Sequence, residues 1–139
     1  MRPYLLLTPG PLTTTDTVKQ AMMSDWCTWD EDYNLGIVEV IRKELVEIAT
    51  SAPDEYTAVL MQGSGSFCVE ATLGSVVRPE DKLLVAANGA YGKRMGIISE
   101  YYHIDCHVMR FEEIEPVNAN KIDTYLNEHQ EVTHVSVVH

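Results

Sequence analysis

Five consecutive apolar residues, Leu83-Leu84-Val85-Ala86-Ala87, stand between the turn-forming stretches Arg78-Pro79-Glu80-Asp81 and Asn88-Gly89-Ala90-Tyr91-Gly92. A run that short and apolar at every position reads as a strand buried on both faces, not as one that alternates between core and water. Such strands occur in parallel sheets covered by helices, which are wound from alternating strands and helices. The neighbouring sequence supplies that alternation. Thr57 to Met61 reads as a first strand, with a helix from about Phe67 to Val77 after it. A helix from about Tyr91 to Tyr102 follows the central run, and Cys106 to Phe111 forms a third strand. An acidic loop (Glu112 to Val117), an amphipathic helix (Asn120 to His129) and a fourth strand (Thr133 to Val138) complete the series. The expected fold class is α/β, a mostly parallel sheet with flanking helices.

Ahead of this alternation, Leu35, Val38, Ile41, Leu45 and Ile48 recur at helical spacing across Asn34 to Thr50, and Ser51-Ala52-Pro53-Asp54 ends that helix. Asp16 to Ser24 is a shorter helix candidate. Thr8-Pro9-Gly10-Pro11 places two prolines around a glycine, which neither a helix interior nor a central strand accommodates, so it reads as a fixed, extended arm. The domain organisation expected is an arm with a short helix over 1–33, then a partial α/β domain over 34–139, truncated at its C-terminus.

In open sheets of this kind ligands bind at the carboxyl ends of the strands. The loops Gly63–Ser66 and Asn88–Gly92 should therefore share one edge, with Tyr91 close to the first of them. Gln62-Gly63-Ser64-Gly65-Ser66 leads into a helix, whose unpaired N–H groups and positive dipole end attract anions. Two readings are open. Gly63–Ser66 is a phosphate cup, or it is an ordinary strand-to-helix loop in which Ser64 or Ser66 caps the helix. The dinucleotide fingerprint fails, because its third glycine is replaced by Cys68 and its acidic partner by Ala87 and Asn88. That disfavours a nucleotide-dependent oxidoreductase. A P-loop fails too, since Lys93 is followed by Arg94.

The formal net charge of −11 over 139 residues argues against nucleic acid or an anionic membrane as partner, while leaving room for a locally positive site. Cys27, Cys68 and Cys106 are too widely spaced for a disulfide framework, which suits a reducing compartment. Leu5-Leu6-Leu7 soon meets Pro9 and Pro11, too short a run for a signal peptide or a membrane span. A cytoplasmic protein is the expectation. No metal site is expected. The acids of Asp25 to Tyr33 lack a histidine, and Cys106 and His107 point to opposite faces of a strand. His139 is the histidine nearest the carboxyl end of the last strand.

Taken in order, Thr8-Pro9-Gly10-Pro11, Gln62-Gly63-Ser64-Gly65-Ser66 and Asn88-Gly89-Ala90-Tyr91-Gly92-Lys93-Arg94 resemble the class V aminotransferases, pyridoxal-phosphate enzymes of fold type I. The likeness covers essentially the whole chain. It implies the N-terminal part of the large domain of such an enzyme, with pyridoxal 5′-phosphate as cofactor. It implies that Ser64, Gly65 and Ser66 bind the cofactor phosphate, that Tyr91 stacks on the pyridine ring, and that Pro9 and Gly10 lie close to the substrate. Ser66 stands where the family often has threonine and keeps the hydroxyl. The segment Asp25-Trp26-Cys27-Thr28-Trp29-Asp30-Glu31-Asp32-Tyr33-Asn34 looks most like family members that pass an amino group from 2-aminoethylphosphonate to pyruvate. Alanine–glyoxylate and serine–pyruvate types share the arm and the Gly-Ser loop. The implied partners are a small amino donor and a 2-oxo acid, with a homodimer for the complete enzyme.

The resemblance also marks a departure. A transaminase of this class needs a lysine for its Schiff base and a carboxylate at the pyridine nitrogen. In the family both come later than His139, and Lys19, Lys43, Lys82, Lys93 and Lys121 lie outside the matching motif. The expectation is a piece of a longer enzyme, inactive alone, with an open sheet edge and uncovered apolar faces that make it poorly soluble or partly folded. An inactive phosphate-binding remnant is the alternative.

Overall fold

The computed structural model describes residues 4–8 and 10–138; Pro9 and His139 lie outside the described residues. The chain divides into two compact units, Met1–Leu60 and Met61–His139.

The second unit is built on a three-stranded parallel sheet of β1 (Lys82–Ala87), β2 (Asp105–Arg110) and β3 (His134–Val137), in the order β2-β1-β3. β1 is the central strand. Leu84 stands opposite His107 on one side and Val135 on the other. Leu83 to Ala87 are each exposed by 1% or less, as the uninterrupted apolar run predicts. Leu83, Val85 and Ala87 form a core with Leu73 and Val77, against which Val69, Met95, Ile98, Ile104, Cys106 and Val108 pack. Three helices supply the connections: α4 (Gly65–Val76) enters β1, α5 (Ala90–Tyr101) joins β1 to β2, and α6 (Ala119–Glu128) joins β2 to β3. Ser64 caps α4 and Asn118 caps α6, each with a side-chain oxygen that accepts a backbone N–H.

α5 is held unusually close to the sheet. A Cβ placed on the buried Gly92 would lie 2.7 Å from the Cα of Ala87, and one on Gly96 would lie 2.8 Å from a Val108 methyl. Ser99, fully buried one turn on, satisfies its hydroxyl by donating to the Met95 carbonyl at 2.8 Å. Small residues on one helix face thus set the distance between α5 and the sheet, Gly92 at β1 and Gly96 at β2.

In the first unit, α1 covers Asp16–Ala21. A longer helical stretch runs through α2 (Glu31–Tyr33), a π-helical turn (Asn34–Val38) and α3 (Glu39–Ala49), followed by a 3-10 turn at Pro53–Glu55. The Asn34 amide donates to the Thr28 and Asp30 carbonyls at 2.8 and 3.1 Å, tying the Trp-rich loop to the start of the helix.

Two sequence expectations are corrected. Thr57 to Met61 pairs with no strand among the described residues; Val59 is 74% exposed. The first residues of the segment are held by Arg42 instead, which donates to the Ala58 carbonyl at 2.9 Å and to the Thr57 hydroxyl at 2.8 Å. The N-terminal arm is not simply extended. Leu7 bridges antiparallel to Leu12, and the Thr13 N–H donates to the Leu6 carbonyl at 3.0 Å, so Leu12 and Thr13 come back alongside Leu6 and Leu7.

The amino ends of the strands carry a charge cluster. Lys82 lies 3.4 Å from Glu131 and 3.5 Å from Asp105, and its pKa is raised chiefly by the Glu131 hydrogen bond. Asp81 accepts the Arg78 N–H at 2.9 Å, which holds its carboxyl below the usual range; Glu131 is held down by its own backbone amide and then by His129. Both carboxyls therefore take up protons less readily folded than unfolded. Their contribution is complete above the ordinary carboxylate range of about 4 and is lost as pH falls through the lowered folded values. The urea midpoint is expected to fall with pH below about 4, and to fall less steeply in an Asp81→Asn, Glu131→Gln variant.

A second expectation concerns the helix–sheet distance. Gly92→Ala pushes a methyl into the Ala87 backbone and is expected to cost about 1–3 kcal/mol in urea denaturation. Gly74, inside α4 with open space around it, provides the contrast: Gly74→Ala should gain about 0.5–1 kcal/mol.

Candidate functional site

The start of α4 is set by the sequence around Gly63. That residue has φ +156°, and a Cβ there would lie 2.6 Å from the Phe67 ring, so only glycine lets the loop turn beneath the ring. The Ser64 hydroxyl accepts the Phe67 N–H at 3.2 Å, and the Ser64 carbonyl accepts the Cys68 N–H at 3.1 Å, closing the first helical turn. By their position in that turn the amides of Gly65 and Ser66 have no intrahelical acceptor. A Cβ on Gly65 would meet nothing within 4 Å, so the start of α4 is uncrowded at that residue.

α5 starts nearby. Gly89 precedes it in extended backbone, and its carbonyl accepts the Lys93 N–H at 3.1 Å. Tyr91 in the first turn is 56% exposed. Arg94, one turn further on, connects the two helices: its guanidinium donates to the Ser66 hydroxyl at 2.6 Å, and its Cζ sits 5.7 Å from the centroid of the Tyr91 ring. Lys93 points elsewhere, pairing with Glu113 at 3.0 Å. A second link joins the same helices where the Tyr102 hydroxyl donates to Glu70 at 2.7 Å, a bond that raises the tyrosine pKa.

Of the residues singled out in the sequence, Ser64, Gly65 and Ser66 thus occupy one helical turn, and Tyr91 is joined to Ser66 through Arg94. Gly10 belongs to the other unit, where it is exposed with open space around it. Sequence reasoning passed over Arg94. Its position three residues after Tyr91 puts both side chains on one face of a helix, which is the pattern that could have marked it. The donor set suits an anion such as a phosphate monoester: two amides at the positive end of a helix and a serine hydroxyl, with a guanidinium bonded to that hydroxyl and an aromatic ring alongside.

Among the described residues no group of three or more His, Cys, Asp and Glu could hold a metal ion. His107 is stacked on Tyr125 with centroids 4.6 Å apart, and Tyr125 stacks on His129 at 4.1 Å. No described helix is long and apolar enough to cross a membrane.

This architecture recurs in solved aminotransferases. An alanine–glyoxylate aminotransferase from Nostoc sp. superposes with a TM-score of 0.81 at 25% identity, over 100% of this chain and 36% of its own. A pyridoxamine–pyruvate aminotransferase from Mesorhizobium loti gives 0.78 at 25% identity, over 100% of this chain and 35% of its own. The fold is that of the fold type I pyridoxal-phosphate-dependent transferases, as found in class V aminotransferases.

No family model matches the chain. Its sequence relatives are more specific: it is 62% identical over 139 residues to a 2-aminoethylphosphonate–pyruvate transaminase of Bacteroides fragilis, and 63% identical to one of Phocaeicola vulgatus. One of Bacillus thuringiensis is 54% identical over 136 residues. The chain is homologous along its whole length to the 2-aminoethylphosphonate–pyruvate transaminases, and it spans 38% of the length of the Bacteroides and Phocaeicola proteins.

The capping role of Ser64 can be isolated by substitution. Ser64→Ala is expected to lower stability by about 1 kcal/mol in urea denaturation, and Ser64→Asp, which supplies another capping oxygen, to restore most of it.

Proposed function

We propose that this chain provides the phosphate-binding and ring-facing part of a pyridoxal-phosphate site, in a protein that transfers an amino group from 2-aminoethylphosphonate to pyruvate to give phosphonoacetaldehyde and L-alanine. The observation that carries the reading is the 62% identity, unbroken across the chain, to transaminases of that name. The free amides and hydroxyls at the start of α4 agree with it, because they match the chemistry of a phosphate monoester.

In this reading the Gly65 and Ser66 amides donate to phosphate oxygens, and the positive end of α4 offsets the phosphate charge. The Ser66 hydroxyl accepts from Arg94, so its own proton is free to be donated to the phosphate. Ser64 contributes through its cap, which holds the turn in place. Tyr91 faces the pyridine ring. By resemblance to the family, Pro9 and Gly10 are assigned to the substrate. When bound, the cofactor supplies an electron-accepting ring that stabilises negative charge at the carbon bearing the amino group. The partners proposed are a small amino donor and a 2-oxo acid, within a homodimer.

The test is a chimera in which this chain replaces the corresponding stretch of the Bacteroides fragilis relative, loaded with pyridoxal phosphate. It is expected to form alanine from pyruvate when 2-aminoethylphosphonate is the donor, while the 139-residue chain alone forms none. A folded, loaded chimera that uses alanine and glyoxylate but not 2-aminoethylphosphonate would overturn the substrate assignment.

A further inference from the structure

The guanidinium of Arg94 lies between two parts of the proposed cofactor site that the backbone does not connect directly. Its NH1 group donates to the Ser66 hydroxyl at 2.6 Å on α4, and its Cζ is 5.7 Å from the Tyr91 ring on α5. A hydroxyl that accepts a charge-assisted hydrogen bond from one side has its own proton directed to the other. A guanidinium close to an aromatic ring restrains that ring through its quadrupole. The chain carries a net charge of −11, so a fixed cation beside the first turn of α4 also gives this spot a polarity opposite to the molecule as a whole.

We propose that Arg94 is a positioning residue for the cofactor site: it turns the Ser66 hydroxyl into an outward donor for the phosphate and holds Tyr91 at the angle the pyridine ring meets. It acts through Ser66 and Tyr91, not as a phosphate ligand of its own. This rests on the functional reading above. A lysine cannot replace it fully, because an ammonium has no planar fork to reach a hydroxyl on one side and lie against a ring on the other.

The measurement is equilibrium binding of pyridoxine 5′-phosphate to the unloaded chimera described above, in which this chain is completed by the rest of its relative. This probe keeps the ring and the phosphate but carries an alcohol in place of the aldehyde, so it forms no bond with surface lysines. Binding is compared for the unaltered chimera, Arg94→Gln, Arg94→Lys, Ser66→Ala and the double variant Ser66→Ala, Arg94→Gln, with circular dichroism to establish that each is folded. Arg94→Gln is expected to weaken binding about tenfold, a loss of about 1.4 kcal/mol, with Arg94→Lys intermediate. In the Ser66→Ala background the same change should weaken binding by no more than about twofold, because residues acting through one another are non-additive. A merely structural arginine would lower stability equally in both backgrounds without that pattern.

Equal weakening in both backgrounds would make Arg94 a direct phosphate ligand and overturn the proposal. Undiminished binding by folded Arg94→Gln would overturn it while leaving the cofactor reading intact. An unaltered, folded chimera that binds neither the probe nor inorganic phosphate would overturn both.

Discussion

Burial of β1 on both faces and along both edges is the constraint from which the second unit follows. Leu83 to Ala87 offer no polar side chain to water, so both faces must be covered and both rows of backbone groups paired. Parallel pairing to β2 and β3 satisfies the backbone. Parallel neighbours in turn require crossover connections, which α5 and α6 supply. The approach of α5 at Gly92 fixes where its N-terminus emerges relative to the end of β1. Tyr91 and Arg94, one residue before and two after that point, are therefore placed by the packing of a backbone against a backbone.

Much of this was legible in the sequence because it follows from local pattern. The central strand, the helices flanking it and the long first-unit helix were readable from runs and periods of apolar residues, and their ends fell within a few residues of those expected. What failed was non-local. An extended apolar segment is indistinguishable in sequence from a paired strand, since pairing depends on whether an edge is free. Thr57 to Met61 has the composition of a strand, but no described strand pairs with it, and Arg42 holds its first residues instead. The antiparallel bridge from Leu7 to Leu12 was hidden for a related reason: prolines exclude helix and central strand, but they do not say which way the chain turns between them.

The candidate site divides in the same way. The turn at Gly63–Ser66 was readable from residue types that only a tight, cap-forming loop needs. The link from Arg94 to Ser66 spans 28 positions and two helices, and no local pattern encodes it. Arg94 also looked unremarkable beside Lys93, yet the two cations have different fates. Lys93 is held by Glu113, in an exposed pair of the kind that contributes little to stability. Arg94 has a neutral hydroxyl and a ring as its partners, and among the described residues no carboxylate pairs with it.

The sequence left open whether the Gly-Ser loop is a cap or a phosphate cup, and the geometry removes the opposition between them. A helix start leaves about four N–H groups without intrahelical partners. At α4 these belong to Ser64, Gly65, Ser66 and Phe67, and the Ser64 hydroxyl takes only the last of them. Capping by Ser64 thus leaves the Gly65 and Ser66 amides free, and it fixes the turn that aims them. Had Ser64 been free to reorient, the amides would have been ordered only when an anion arrived, and that ordering would have opposed binding. In the proposed function the same cap would hold the Gly65 and Ser66 amides in place before an anion arrives, so a single hydrogen bond to Ser64 would serve both helix and site.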